Sequence, residues 1–220
     1  MTDHSVSPAL LQLALDDITR EGVFSLLERV QEAVDIVEVG TPLLMRYGIA
    51  IITDIKERHP DLKVLSDAKI MDAAHYEADL SFAAGADYVT ILAVTDNGSV
   101  REAVRAARDH GKQIVADMIC VTDLPTRARE MADLGVDVLA VHTGVDQQAL
   151  GRTPLDDLKV LSESGARVPL AVAGGISQAT VGDYLPYHPQ IIIVGSGIIG
   201  ADDPAAESAR IYRLIKEQRS

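Results

Sequence analysis

The chain has 220 residues, 47% of them hydrophobic, enough for one substantial core and short for two domains. Lys+Arg 20 against Asp+Glu 33 gives a net charge of −13 and a pI near 4.8, an electrostatic balance that disfavours nucleic acid and anionic membranes as partners. The single cysteine, Cys120, excludes an internal disulfide; the N-terminus lacks a signal-peptide pattern, and no run approaches the roughly 20 apolar residues that span a bilayer. A soluble cytoplasmic protein is expected, with residues 1–220 forming one domain.

Eight short apolar runs follow in chain order: LQLAL (11–15), VDIVEV (34–39), KVLS (63–66), DYVTIL (87–92), QIVADM (113–118), VDVLAV (136–141), VPLAVA (168–173) and IIIV (191–194). They are rich in Val and Ile with little polar alternation, as parallel strands covered on both faces require. Helical patterns lie between them; in EGVFSLLERVQEA, Val23, Leu26, Leu27 and Val30 share one stripe. Ser99-Val100-Arg101-Glu102 reads as a capping box opening a helix that runs to Gly111. Asp203-Pro204 reads as an N-cap followed by proline at the first helical position. Eight β/α repeats in this length predict a compact (β/α)8 TIM barrel, an α/β fold; the alternative is an open doubly wound sheet.

In a barrel, chemistry sits at the C-terminal strand ends, and residues two apart share a face. Gln12, Ala14 and Asp16 then share a face of strand 1, and Ile36 and Glu38 a face of strand 2. Asp67 and Lys69 point the same way if strand 3 stays extended. Strand 4 is set aside. Asp117 ends strand 5, and Val138, Ala140 and His142 share a face of strand 6. Each acid alone could be a helix cap, His142 a structural histidine and Lys69 a surface lysine. Together they would crowd one barrel mouth, which favours a functional cluster.

Asp16, Glu38, Asp67 and Asp117 set four negative charges against one Lys69. Crowded carboxylates need a compensating cation, and oxygen ligands suit Mg2+, with substrate completing its shell. Zinc is disfavoured, since only His142 offers nitrogen.

The glycine stretches AGGI (173–176) and GSGIIG (195–200) follow strands 7 and 8. The second matches G-x-G-x-x-G, yet only about twenty residues remain, too few for a further β-α-β unit. A phosphate held by backbone N–H groups of Gly174, Gly175, Gly195, Ser196 and Gly197 is the better reading, and a phosphorylated small molecule the expected ligand. Cys120 is expected to be a small buried residue. His4, His59, His110 and His188 are expected to be solvated, and His75, although close to Asp72, is not taken as catalytic.

The segments LQLALD (11–16), VEVGTPL (37–43), SDAKIMDA (66–73), VHTGVDQQ (141–148), VAGGI (172–176) and VGSGI (194–198) carry a resemblance spanning nearly the whole chain. With Asp67-x-Lys69-x-x-Asp72 after the third strand, the chain resembles the orotidine 5′-monophosphate decarboxylase suprafamily. Within it, the likeness is to the 3-hexulose-6-phosphate synthase and 3-keto-L-gulonate-6-phosphate decarboxylase family.

The resemblance implies a homodimer of barrels in which Mg2+ supports a 1,2-enediolate. It implies Glu38 and Asp67 as metal ligands, Lys69 as partner of the enediolate charge, and Asp16, with Asp117 nearby, on the substrate. His142 would move protons, and Asp72 would reach the partner subunit's site. The decarboxylase pattern His-x-x-Arg-Asp reads His142-Thr143-Gly144-Val145-Asp146 here, and Ser196 stands where the decarboxylase has arginine. Both departures favour the synthase, which joins formaldehyde to D-ribulose 5-phosphate; Ile70, where synthases often carry threonine, does not. The decarboxylase and a non-catalytic barrel that binds a sugar phosphate are the alternatives.

Overall fold

The computed structural model describes residues 8–217, so His4 and both ends of the anticipated 1–220 domain lie outside the described residues. Eight parallel strands form a closed barrel in the order β1 to β8. They are β1 Leu10–Leu15, β2 Ile36–Val39, β3 Lys63–Ile70, β4 Tyr88–Leu92, β5 Gln113–Asp117, β6 Val138–His142, β7 Leu170–Ala173 and β8 Ile191–Val194. Each of the eight apolar runs becomes one strand, and closure through β1–β8 pairing removes the open-sheet alternative.

Alternation along the strands builds two cores. Ile36, Leu65, Tyr88, Val115, Val138, Ala140, Ala171 and Ile191 fill the barrel interior. Leu11, Leu13, Val37, Val39, Val64 and Val89 face outward against the helices. Helix Arg20–Val30 covers its share of that outer layer with Val23, Phe24, Leu26, Leu27 and Val30, all buried. Both strand faces are therefore apolar, which is why the runs lack polar alternation.

The N-terminal rim carries a repeated device. The Leu11 N–H donates to Asp35 Oδ2 at 2.8 Å, Val64 N–H to Asp87 Oδ2 at 3.0 Å, Ile114 N–H to Asp137 Oδ2 at 2.8 Å, and Leu170 N–H to Gln190 Oε1 at 2.7 Å. Each acceptor residue returns its own backbone N–H to the carbonyl of the same partner. Every second strand thus starts on a side-chain acceptor supplied by the next strand. Lys216 pairs with Asp35, Lys56 and Lys112 with Asp87, and Arg108 with Asp137.

Two local expectations change. Helix Asn97–His110 begins earlier than the Ser99 capping box predicts, because Asp96 accepts from the Gly98 and Ser99 N–H groups; its C-terminal stop at Gly111 is as expected. Cys120 is exposed, not buried, in the loop after β5 and at a φ of 62°. Asp203 does cap helix Pro204–Glu217, accepting from the Ala205 and Ala206 N–H groups. Among the described residues no helix is long and apolar enough to cross a membrane.

Candidate active site

The C-terminal ends of the strands surround a cavity of about 750 Å³. Asp16, Glu38, Asp67, Lys69, Asp117, His142, Gly174, Gly175, Gly195 and Ser196 all line it. Ten of the twelve residues singled out in the sequence therefore meet at one mouth.

Asp67 is the buried centre of the charged group. Its Oδ2 accepts from Lys69 Nζ at 2.5 Å and Thr41 Oγ1 at 2.9 Å, and its Oδ1 accepts from Thr90 Oγ1 at 2.9 Å. Simple strand alternation does not put Lys69 there. Lys69 has a φ of 47°, and the β3–β4 register jumps between Ser66 and Ile70, so a bulge carries the lysine. Its backbone N–H donates to Thr90 Oγ1 at 2.9 Å, which anchors the turn. Strand 4, set aside in the sequence, thus supplies the threonine that fixes both the acid and the lysine.

Lys69 Nζ also lies 3.5 Å from Asp117 Oδ2. Burial works against its charge, but Asp67 and Asp117 outweigh burial and hold the ammonium pKa above the ordinary value. A protonated Lys69 is a poor Schiff-base nucleophile.

Asp117 joins the lysine to the histidine. Its Oδ2 accepts from His142 Nδ1 at 2.9 Å and its Oδ1 from the Ile119 N–H at 2.9 Å. Burial alone would raise this carboxyl; the His142 hydrogen bond and charge, with Lys69, bring it below the ordinary value. Ionised Asp117 fixes the His142 tautomer with the proton on Nδ1, leaving Nε2 as the open, basic nitrogen in the cavity wall.

Glu38 accepts from Gln12 Nε2 at 2.6 Å through Oε2. Burial first, then Asp67, with a smaller push from Asp16, raises its pKa to about 8 against the opposing Gln12 and Lys69 contacts. Asp16 sits at the rim, where desolvation by the surrounding wall and then Asp67 raise its pKa too. The raised values mark acids that resist ionising together beside Lys69, and a hard cation would relieve that crowding. Glu38 keeps one carboxylate oxygen for the cavity, and Asp67 Oδ1 keeps a lone pair. Among the described residues no three His, Cys, Asp or Glu side chains gather into a complete metal cage. The donor set fits an ion such as Mg2+, which takes one or two carboxylates and draws its remaining ligands from substrate and water.

On the opposite rim, Gly174 and Gly175 take φ values of 128° and 66° after β7. A side chain at Gly174 would also stand 2.8 Å from the Thr143 carbonyl, so glycine is needed twice over. Helix Ser196–Ile199 opens directly after β8, with Gly195 and Ser196 at the mouth.

Two expected site residues fall elsewhere. Gly197 does not line the cavity; its Cα packs against the Ile176 carbonyl, where a Cβ would come within 2.7 Å, so close packing explains it. Asp72 is exposed and lies outside its own chain's cavity. His75 bonds to Asp109 and takes no part in the cavity. His110 and His188 are exposed, as expected, whereas His59 is half-buried and shares a hydrogen bond with Gln31. Gln12, Thr41 and Thr90 are among the lining residues that had no role in the sequence reading. All three are uncharged, and only the inward phase of their strands or their place beside Glu38 could have marked them.

The sequence pattern of the orotidine 5′-phosphate decarboxylase / HUMPS family matches residues 9–211. The chain belongs to this family. Among its relatives, 3-hexulose-6-phosphate synthase 2 of Staphylococcus saprophyticus subsp. saprophyticus is 45% identical over 205 residues, covering 93% of this chain and 96% of the relative. The crystal structure of 3-hexulose-6-phosphate synthase from Salmonella typhimurium superposes with a TM-score of 0.92 at 51% identity, covering 94% of this chain and 98% of that one. A 3-keto-L-gulonate-6-phosphate decarboxylase from Vibrio cholerae shares the fold, with a TM-score of 0.84 at 23% identity over 95% and 98% of the two chains.

Proposed function

We propose that this chain catalyses the aldol condensation of formaldehyde with D-ribulose 5-phosphate to D-arabino-3-hexulose 6-phosphate, and its reverse. The observation that carries the reading is near-full-length identity of 45–51% to proteins named 3-hexulose-6-phosphate synthase. Val145 and Ser196, at the two positions where the decarboxylase pattern has arginine, both line the cavity and support it.

In the reaction the phosphate of the sugar rests on the backbone N–H groups around Gly174, Gly175, Gly195 and Ser196, which lets an acidic protein bind an anion. Asp16 takes sugar hydroxyls at the rim. His142 Nε2 removes a proton from C1 of the ketose, and the C–H electron pair moves toward the C2 carbonyl, giving an enediolate. Lys69, charged and aimed by Asp67 and Asp117, meets the negative charge where it develops. C1 then attacks the formaldehyde carbon, and His142 returns its proton to the former formaldehyde oxygen. Mg2+, held by Glu38 and Asp67, would supply positive charge to the sugar oxygens.

A homodimer belongs to this reading. Asp72 is exposed outside its own cavity, on a face that also exposes Met71, Tyr76, Leu80 and Val94. Thr95 Oγ1 donates to the Met71 carbonyl at 2.5 Å, so the Val94 loop and the Met71–Asp72 turn form one surface. A second copy would cover it and receive Asp72 at its own mouth.

The test is a two-substrate assay of the purified protein. Formaldehyde should disappear only with D-ribulose 5-phosphate present, and EDTA should stop it until Mg2+ is restored. Release of CO2 from 3-keto-L-gulonate 6-phosphate without formaldehyde uptake would overturn the synthase reading, and ligand binding without any turnover would overturn both enzymatic readings.

A further inference from the structure

Gln12 lies in the floor of the cavity on the inward phase of β1, at 1% exposure. Its Nε2 donates to Glu38 Oε2 at 2.6 Å, while its Oε1 is a buried side-chain atom with no hydrogen-bond partner. A buried amide oxygen without a donor destabilises a fold, so packing alone gives no reason for glutamine here. Methionine or leucine would fill the same volume without an orphaned acceptor. The NH2 group is the half of the amide turned to Glu38, and Oε1 is left facing no donor. The orphaned oxygen is the consequence of committing the NH2 group to Glu38.

That commitment has a geometric effect. Glu38 Oε2 is tied to β1, across the β1–β2 pairing in which Ala14 faces Glu38. Oε1 of Glu38, which accepts no hydrogen bond, is then the freer oxygen toward the cavity, and the bond to Gln12 restrains rotation of the carboxylate. Outer hydrogen bonds of this kind set the orientation of a carboxylate toward an ion.

We infer that Gln12 is a positioning residue, fixing Glu38 so that one defined oxygen is offered to a divalent cation. The inference rests on the reading that Glu38 and Asp67 hold such an ion. The probe is Mn2+, titrated into full-length, EDTA-stripped protein, with free ion followed by electron paramagnetic resonance and Mg2+ added as competitor. Wild type should bind one Mn2+ per chain and release it to Mg2+. Gln12→Met should weaken binding about 10–100-fold, while its thermal midpoint in EDTA stays at or above that of wild type. A wild type that binds no Mn2+ overturns the metal reading and this inference with it. A Gln12→Met variant that binds as tightly as wild type overturns the inference alone, as does one whose midpoint in EDTA falls. Should Gln12→Met not fold, a wild-type crystal soaked in Mn2+ decides. Glu38 Oε1 on the ion with Oε2 still on Gln12 Nε2 supports the role, and a Glu38 swung off Gln12 overturns it.

Discussion

Asp117 has one oxygen on the Ile119 N–H and the other on His142 Nδ1. An asparagine there must keep its carbonyl toward the Ile119 donor, which turns its NH2 toward His142 and forces the proton onto Nε2. The base would then have no lone pair in the cavity. Asp117→Asn should lower kcat by about 10²–10⁴ with the barrel intact, measured by steady-state kinetics alongside circular dichroism. Gly40 supports the site differently: a Cβ there would stand 2.0 Å from Asp16 Oδ1 and 2.8 Å from the Leu15 carbonyl. Gly40→Ala should therefore displace Asp16 and raise KM for the sugar phosphate by roughly tenfold, about 1.4 kcal/mol of binding. The charged residues were legible in the sequence because ionisable groups at strand ends stand out. Gly40 was not, since its role is the absence of atoms beside a residue 24 positions away, and Thr90 was not, since a hydroxyl on a strand resembles any other strand residue.

The strands were readable as apolar runs because each is covered on both faces, yet β3 shows where run length misleads. It continues past KVLS to Ile70, and its bulge, unannounced by glycine or proline, is what delivers Lys69 to Asp67. The rim of side-chain acceptors at the strand starts was equally hidden, because Asp35, Asp87 and Asp137 lie in or at the head of the apolar runs with nothing to mark them as acceptors. Asp87 shows what they do. Although burial opposes it, hydrogen bonds from Lys112 and the Val64 N–H, with Lys56 nearby, hold its pKa below the ordinary value. A depressed carboxyl stabilises the fold above its unfolded pKa and loses that contribution as pH falls through the lower folded value. Asp87→Asn should cost about 1–3 kcal/mol at pH 7 by urea unfolding. The gap from wild type should close below pH 4, as wild-type Asp87 takes up its proton.

Taken whole, the molecule is a barrel whose two ends have separate tasks: paired acids and lysines at the strand starts hold the ring, and unbalanced acids at the strand ends face the cavity. The number of repeats made the barrel readable, since eight parallel strands close on themselves. The site was readable as a set of residues but not as a network, because hydrogen bonds such as His142 to Asp117 join positions 25 apart. The central claim is that this network takes a proton from C1 of the sugar and stabilises the resulting enediolate. Proton NMR of D-ribulose 5-phosphate with the protein and Mg2+ in deuterated solvent, without formaldehyde, tests it directly. One C1 hydrogen should be replaced by deuterium, at a rate abolished by His142→Ala and by EDTA. A protein that condenses the two substrates while both C1 hydrogens stay in place, at a stage when exchange should be complete, would contradict the account.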